Sequence, residues 1–234
     1  MNARAMDART PLDAGSARRI ASAFLPGTVL GNRYHYFYAR AKLRSDPLYP
    51  GVCAALHGTA VPLLDLGCGL GLLAHVLQAA GLGLRYFGVD NDARKIQAAR
   101  RAAQRAGLRD AGFETLDLAA GLPPHRGSVA ILDVLQFLQP DRQAALVDQV
   151  AGMIVAGGRL VIRTGLDDGS RRARITRTID VFARLVGWMN AAPVHYPEPE
   201  MLRAHLAAAG LRAEFSPLAG RTPFNNWLVV ASRD

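Results

Sequence analysis

The apolar positions of this chain fall into short continuous runs separated by longer stretches of helical spacing. Residues 61–66, 84–90, 111–116, 129–133 and 160–163 are runs rich in Val, Leu, Ile and Phe, the signature of strands buried in a sheet. Between them, residues 72–80, 93–106 and 140–155 repeat apolar side chains three and four apart and predict helices. Turn chemistry marks the joins. Gly81 ends the first of these helices, Asp92 caps the second, Gly107 stops it, and Pro140 opens the third. Strands alternating with helices at this spacing predict an α/β fold with a Rossmann-like, doubly wound, mostly parallel sheet. Beyond it, residues 200–209 predict a helix stopped by Gly210. Residues 213–218 and 226–232 predict two strands joined by a turn through Gly220, Pro223 and Asn225.

Before the first strand the pattern is less regular. Residues 13–24 predict a short helix that Pro26-Gly27 breaks, and a helix starting near Tyr49 leads into the first strand. Residues 32–40, with Tyr34, His35, Tyr36, Phe37 and Tyr38, are the most aromatic stretch of the chain. They read either as a helix laying its rings on the core or as a cap over a ligand. Three tyrosines and a histidine carry more hydrogen-bonding groups than a plain core face requires. Residues 1–60 are accordingly taken as a helical cap segment and residues 61–234 as one domain, with a helical insert at about 166–197. In that insert Ile175, Ile179, Phe182, Val186 and Met189 share a face, with Arg171, Arg174 and Arg184 lying off it.

Candidate chemistry concentrates where the first strand meets its helix. The run Asp65-Leu66-Gly67-Cys68-Gly69-Leu70-Gly71 puts three glycines in five positions between a buried strand and a helix. Glycine accepts positive φ and lets a ligand approach the backbone, and the helix start presents free N–H groups. A dinucleotide fingerprint would need a third glycine at position 72, where Leu72 stands. The next strand ends in Asp90, 19 residues beyond Gly71. A carboxylate there can accept both hydroxyls of a ribose, a use shared by nicotinamide and adenosyl cofactors. Two further runs end in acids, Asp117 and Asp133.

An acidic-x-G-x-G-x-G corner followed by three strand-end acids resembles the class I S-adenosylmethionine (SAM)-dependent methyltransferases. The resemblance covers roughly residues 60–165 and extends through the C-terminal strand pair. It implies a seven-stranded sheet whose last strand is antiparallel to the rest, and SAM as cofactor. It also implies a cofactor set of Asp65, Gly67, Cys68, Gly69, Gly71, Asp90, Asn91, Asp117, Leu118 and Asp133. Within that set Asp65 helps to hold the amino end of the cofactor, and Asp117 takes the position that meets the adenine amino group. In base-specific amino-methylating enzymes the acid at position 133 is often followed by Pro-Pro-aromatic; here Val134-Leu135-Gln136 follows. Neither Cys53 nor Cys68 is placed as a nucleophile for C5 methylation of a base. The segments 38–49 and 221–226 are similar to a bacterial subgroup associated with fatty-acid-like and aryl polyene biosynthesis. That likeness implies a small or carrier-bound acceptor, such as a hydroxyaryl group on an acyl carrier.

Methyl transfer from a sulfonium is an in-line displacement that rests mainly on alignment, worth about 7–11 kcal/mol. A base is needed only when the nucleophile arrives protonated. His195, His35 and Tyr34 are the candidates for such work on the acceptor side. Arg163, at a strand end, is open to two roles, neutralising a substrate acid or pairing with Asp133. Asn225 and Asn226 are open to a turn role or a place at the substrate mouth.

Composition narrows the picture in three ways. Half of the 234 residues are hydrophobic and 20% are charged, enough for a full core. No apolar run approaches the roughly 18 residues of a membrane span, residues 1–20 lack a signal-peptide apolar region, and two isolated cysteines fit a reduced cytoplasm without metal or disulfide. The net charge of +9 invites nucleic acid, yet the basic residues are nearly all arginines spread along the chain, with Lys42 and Lys95 the two lysines. An RNA methyltransferase is therefore the weaker alternative. A non-catalytic scaffold has no use for three strand-end acids, and Leu72 disfavours a nicotinamide enzyme.

Overall fold

A computed structural model describes residues 8–28, 30–167, 195–218 and 225–233. The expected insert lies almost wholly outside these residues, as does most of the turn through Gly220 and Pro223. The chain divides into two compact units, residues 1–124 and 125–234. Its seven strands run in the order β3-β2-β1-β4-β5-β7-β6.

The first unit opens with α1 (Ala14–Ala21), a 3-10 turn (Ser22–Phe24), α2 (Tyr34–Ser45) and α3 (Leu48–Ala55). It continues as β1 (Leu63–Leu66), α4 (Leu72–Ala79), β2 (Tyr86–Asp90), α5 (Ala93–Ala106) and β3 (Ala111–Thr115). The three strands are parallel, with Asp65 opposite Gly88 and Gly88 opposite Phe113. All four β1 residues are buried, which is why that run carries no alternation. Asp13 caps α1 by accepting the N–H groups of Gly15 and Ser16, and Asp92 caps α5 by accepting those of Arg94 and Lys95. The buried face of α5 is Ile96 with Ala98, Ala99, Ala102 and Ala103, and the four alanines let neighbours pack close. In α2 only Ala39 and Leu43 are buried, while Tyr34 and Phe37 are 63% and 56% exposed. The aromatic stretch therefore does not lay its rings on the core.

The second unit holds β4 (Ser128–Leu132), a 3-10 turn (Leu135–Phe137), α6 (Pro140–Ala151), β5 (Leu160–Gly165), α7 (Pro199–Ala208), β6 (Arg212–Pro217) and β7 (Asn226–Ser232). β4 and β5 are parallel, and β7 runs antiparallel to both β5 and β6. Its core includes Ile131, Leu135, Leu160 and Ile162. The helix predicted over 140–155 ends at Ala151. Beyond it Ile154 turns away to bridge Gly127 and bury its own side chain. Periodicity alone does not distinguish that buried bridge residue from another helical turn.

Candidate functional site

The loop after β1 is held by its neighbour strand. The N–H groups of Gly67 and Cys68 both donate to the carbonyl of Val89, at 2.8 and 2.9 Å. Gly67, Gly69 and Gly71 all have positive φ, and Gly71 opens α4 from the left-handed region without any side-chain cap. At Gly71 a Cβ would lie 2.3 Å from the Phe113 ring, so packing and backbone both demand glycine. At Gly69 a Cβ would meet nothing within 4 Å. The loop faces open space there.

Two carboxyls stand at this loop. Asp65 is buried, and its Oδ2 accepts the Tyr86 hydroxyl at 2.6 Å. Its Oδ1 has no partner among the described residues. Burial pushes the Asp65 carboxyl up to about 7, with the charge of Asp90 adding to the effect and the Tyr86 hydrogen bond opposing it. Asp90, also buried, accepts the Gly69 N–H on Oδ2 and the Asp92 N–H on Oδ1, both at 2.9 Å. Each oxygen keeps a lone pair for another donor. Cys68 lies between Gly67 and Gly69, and burial with the nearby charges of Asp65 and Asp90 keeps its thiol firmly protonated. A Cβ on Gly88 would meet the Cys68 sulfur at 2.8 Å, so Gly88 makes room for it. Asn91 and Asp117 are exposed and Leu118 is half-buried; Asp117 accepts the Ala119 N–H at 2.9 Å.

Tyr34 and His35, the first two residues of α2, line a cavity of about 410 Å³ together with Asn32, Arg101 and Arg105. No residue of the glycine loop is among its walls. Burial, then the charge of Arg101, holds His35 below the usual histidine range, against the opposing charge of Asp92.

In the second unit, Asp133 is the one non-glycine residue with positive φ among those described. Its side chain pairs with Arg163, which is buried, and its N–H donates to the Arg163 carbonyl at 2.8 Å. Of the two roles open to Arg163, the structure thus displays pairing with Asp133. The imidazole of His195 is exposed, but its backbone is fixed. The His195 N–H donates to the Gln136 carbonyl, and its own carbonyl accepts Gln143 Nε2 at 2.8 Å. Gln136 also accepts the Thr164 hydroxyl at 3.1 Å. Asn225 donates to the Leu166 carbonyl and accepts the Trp227 indole N–H, and Asn226 is buried in β7.

Tyr86, Arg101, Arg105, Gln136 and Gln143 escaped the sequence reading. Tyr86 reads as one more strand aromatic until the parallel register sets it near Asp65. The two arginines, four apart on α5, carry no short-range signal that sets them apart from any solvated helix face. Among the described residues no cluster of His, Cys, Asp and Glu fits a metal ion. No helix among them is long and apolar enough to cross a membrane.

Comparison with known proteins agrees with this geometry. Residues 63–158 match the family model described as a methyltransferase domain. A ubiquinone biosynthesis O-methyltransferase from Methylocella silvestris is 32% identical over 175 residues, 68% of this chain and 63% of that protein. A ribosomal protein L11 methyltransferase from Xylella fastidiosa is 38% identical over 103 residues, 43% of this chain and 30% of that protein. The chain thus spans less than two thirds of the length of either relative. In three dimensions the magnesium protoporphyrin IX methyltransferase of Synechocystis PCC 6803, solved with bound SAH, aligns at a TM-score of 0.62 and 20% identity, covering 94% of each chain. The glycine corner and Asp90 at the end of β2 lie within residues 63–158, the stretch that matches the methyltransferase-domain model.

Proposed function

We propose that the protein is a SAM-dependent methyltransferase acting on a small-molecule or carrier-bound acceptor. The observation that carries the reading is the buried, half-partnered Asp65 beside a glycine loop that opens to space at Gly69. A buried carboxylate oxygen without a donor is costly, and a ligand ammonium relieves it. These residues fit SAM. Asp65 is assigned its amino end and Gly67, Cys68, Gly69 and Gly71 the backbone cradle. Asp90 with Asn91 is assigned the ribose, Asp117 with Leu118 the adenine, and Asp133 completes the set. The chemistry such a cofactor supplies is a methyl group on sulfur, ready for in-line displacement. The chain's own part is to hold and align, and to take a proton where the acceptor arrives protonated. Tyr34 and His35 in the first unit and His195 in the second are assigned that side, with residues 1–60 as the cap segment.

The Methylocella relative, named for O-methylation in ubiquinone biosynthesis, supports a small hydroxylated acceptor. A hydroxyaryl group on a carrier is the finer form of that proposal. The likeness to ribosomal protein L11 methyltransferase covers 43% of this chain and supports a shared cofactor domain, not a shared protein substrate.

Calorimetric titration with SAM, S-adenosylhomocysteine (SAH) and NAD tests the reading. Wild type is expected to bind the first two in the micromolar range and NAD not at all. Asp90→Asn is expected to lose at least about tenfold, the scale of one charge-assisted hydrogen bond. Absence of binding to all three ligands by a folded protein sinks the proposal.

A further inference from the structure

This cavity of the first unit lies between residues 24–27, Asn32, Tyr34 and His35 on one side and α5 on the other, along a stretch of that helix well past its Asp92 cap. Its volume of about 410 Å³ falls within the range of small-molecule sites. Among its lining residues are two guanidiniums, an imidazole, a phenol and an amide, and no carboxylate. Arg101 and Arg105 are four apart on α5, a like-charge spacing that is unfavourable by itself. Arg105 donates to the carbonyls of Ala23 and Leu25, which leaves its charge without a counter-ion among the described residues. The Arg101 side chain makes no hydrogen bond or ion pair among the described residues. His35 is held toward its neutral form by burial and by Arg101, so it offers one N–H without adding a third charge. Asn32 spends its carbonyl oxygen on the Tyr34 N–H at 2.8 Å and keeps both amide donors.

Apolar surface adjoins these donors. Phe24, Leu25, Pro26 and Ala98 line the same cavity. From its edge Tyr34, Phe37 and Tyr38, at i, i+3 and i+4, form an exposed aromatic stripe along α2, Tyr34 and Tyr38 stacking at 6.2 Å. Exposed aromatic side chains in one stripe mark a contact surface more often than chance.

We propose that this cavity binds an organic oxyanion with an apolar body: a phosphate or carboxylate carried on an alkyl or aryl chain. The guanidinium fork of Arg101 matches such an oxyanion in two hydrogen bonds, and the start of α2 adds favourable dipole. Phe24, Ala98 and the aromatic stripe receive the chain. The cavity shares Tyr34 and His35 with the acceptor side proposed above, but no glycine-loop residue lines it, so this inference and the cofactor reading fail separately.

The test is calorimetric titration of the full chain with decyl phosphate below its micelle concentration, beside decanol, inorganic phosphate and vesicles of anionic phospholipid. SAH is titrated in parallel. Wild type is expected to bind one decyl phosphate per chain. Arg101→Gln is expected to weaken it at least about tenfold, the scale of one charge-assisted interaction, with SAH unaffected. Arg101 is exposed, so its replacement leaves the fold intact; Arg105 also anchors the 23–25 segment and is the poorer variant. Equal binding by the variant, or by decanol, overturns the oxyanion. Equal binding of inorganic phosphate overturns the apolar body. Binding to vesicles without binding to monomeric decyl phosphate makes the site a membrane contact and overturns the proposal. Loss of SAH together with decyl phosphate in Arg101→Gln ties the cavity to the cofactor site and overturns their separation.

Discussion

Asp65 is a buried acid whose charged form burial disfavours. Its carboxyl titrates near 7 in the folded chain and near 3.8 when free. A raised folded pKa contributes stability that is complete below pH 3.8 and is lost as pH rises through 7. Unliganded wild type should therefore lose up to a few kcal/mol across that window relative to Asp65→Asn, which has no proton to give up. Chemical denaturation at pH 4.5, 6 and 8 measures it; parallel curves for the two proteins would show that Asp65 does not titrate there. The same carboxyl must ionise to receive an ammonium. SAM affinity should thus fall below pH 7, by up to about tenfold per pH unit, and Asp65→Asn should bind weakly with that slope gone. Calorimetry at pH 5.5, 6.5 and 7.5 reads the slope directly.

Two helix starts frame the candidate cofactor site, and they tolerate change differently. Gly71 needs positive φ, and a Cβ there collides with Phe113. Gly71→Ala should cost more than about 2 kcal/mol, the left-handed penalty plus the overlap, read as a lower urea midpoint. Asp92 caps α5 with its side chain while its backbone N–H serves Asp90. Asp92→Ala should cost about 1 kcal/mol of stability and leave SAH affinity within about twofold, because the Asp90 bond uses only backbone. A large affinity loss in Asp92→Ala would assign the Asp92 side chain to the ligand. In α2 the buried pair Ala39 and Leu43 holds the helix while its aromatic face stays out, the arrangement of an element kept for contact as well as for packing.

At the scale of the molecule, ligand binding adds to folding free energy by mass action. SAH at a hundred times its dissociation constant contributes about 2.7 kcal/mol, which for a chain of this length raises the melting midpoint by roughly 5–10 °C. A midpoint that does not move, measured by differential scanning fluorimetry, contradicts specific binding to the native state. The +9 charge is spread among arginines in both units, several already occupied: Arg100 holds the Phe113 carbonyl, Arg163 pairs with Asp133, and Arg233 reaches the Ile154 carbonyl.

What the sequence by itself determined is everything encoded within a few residues. The order of the described strands and helices, the 93–106 helix between its Asp92 cap and Gly107 stop, the glycine loop and Asp90 at the end of β2 follow from local periodicity and turn chemistry, whereas β3 ends at Thr115, two residues short of Asp117. The tertiary structure decided which side chains meet. Tyr86 reaches Asp65 because the β1–β2 register sets Asp65 opposite Gly88, where no side chain intervenes. Arg163 belongs to Asp133 because parallel pairing aligns the ends of β4 and β5. Arg101 and Arg105 become the wall of a cavity because residues 24–27, Asn32, Tyr34 and His35 lie across from α5, a partner some 70 residues away that no short-range pattern specifies. Periodicity sets which face of an element is apolar; packing sets what that face, and its opposite, will touch.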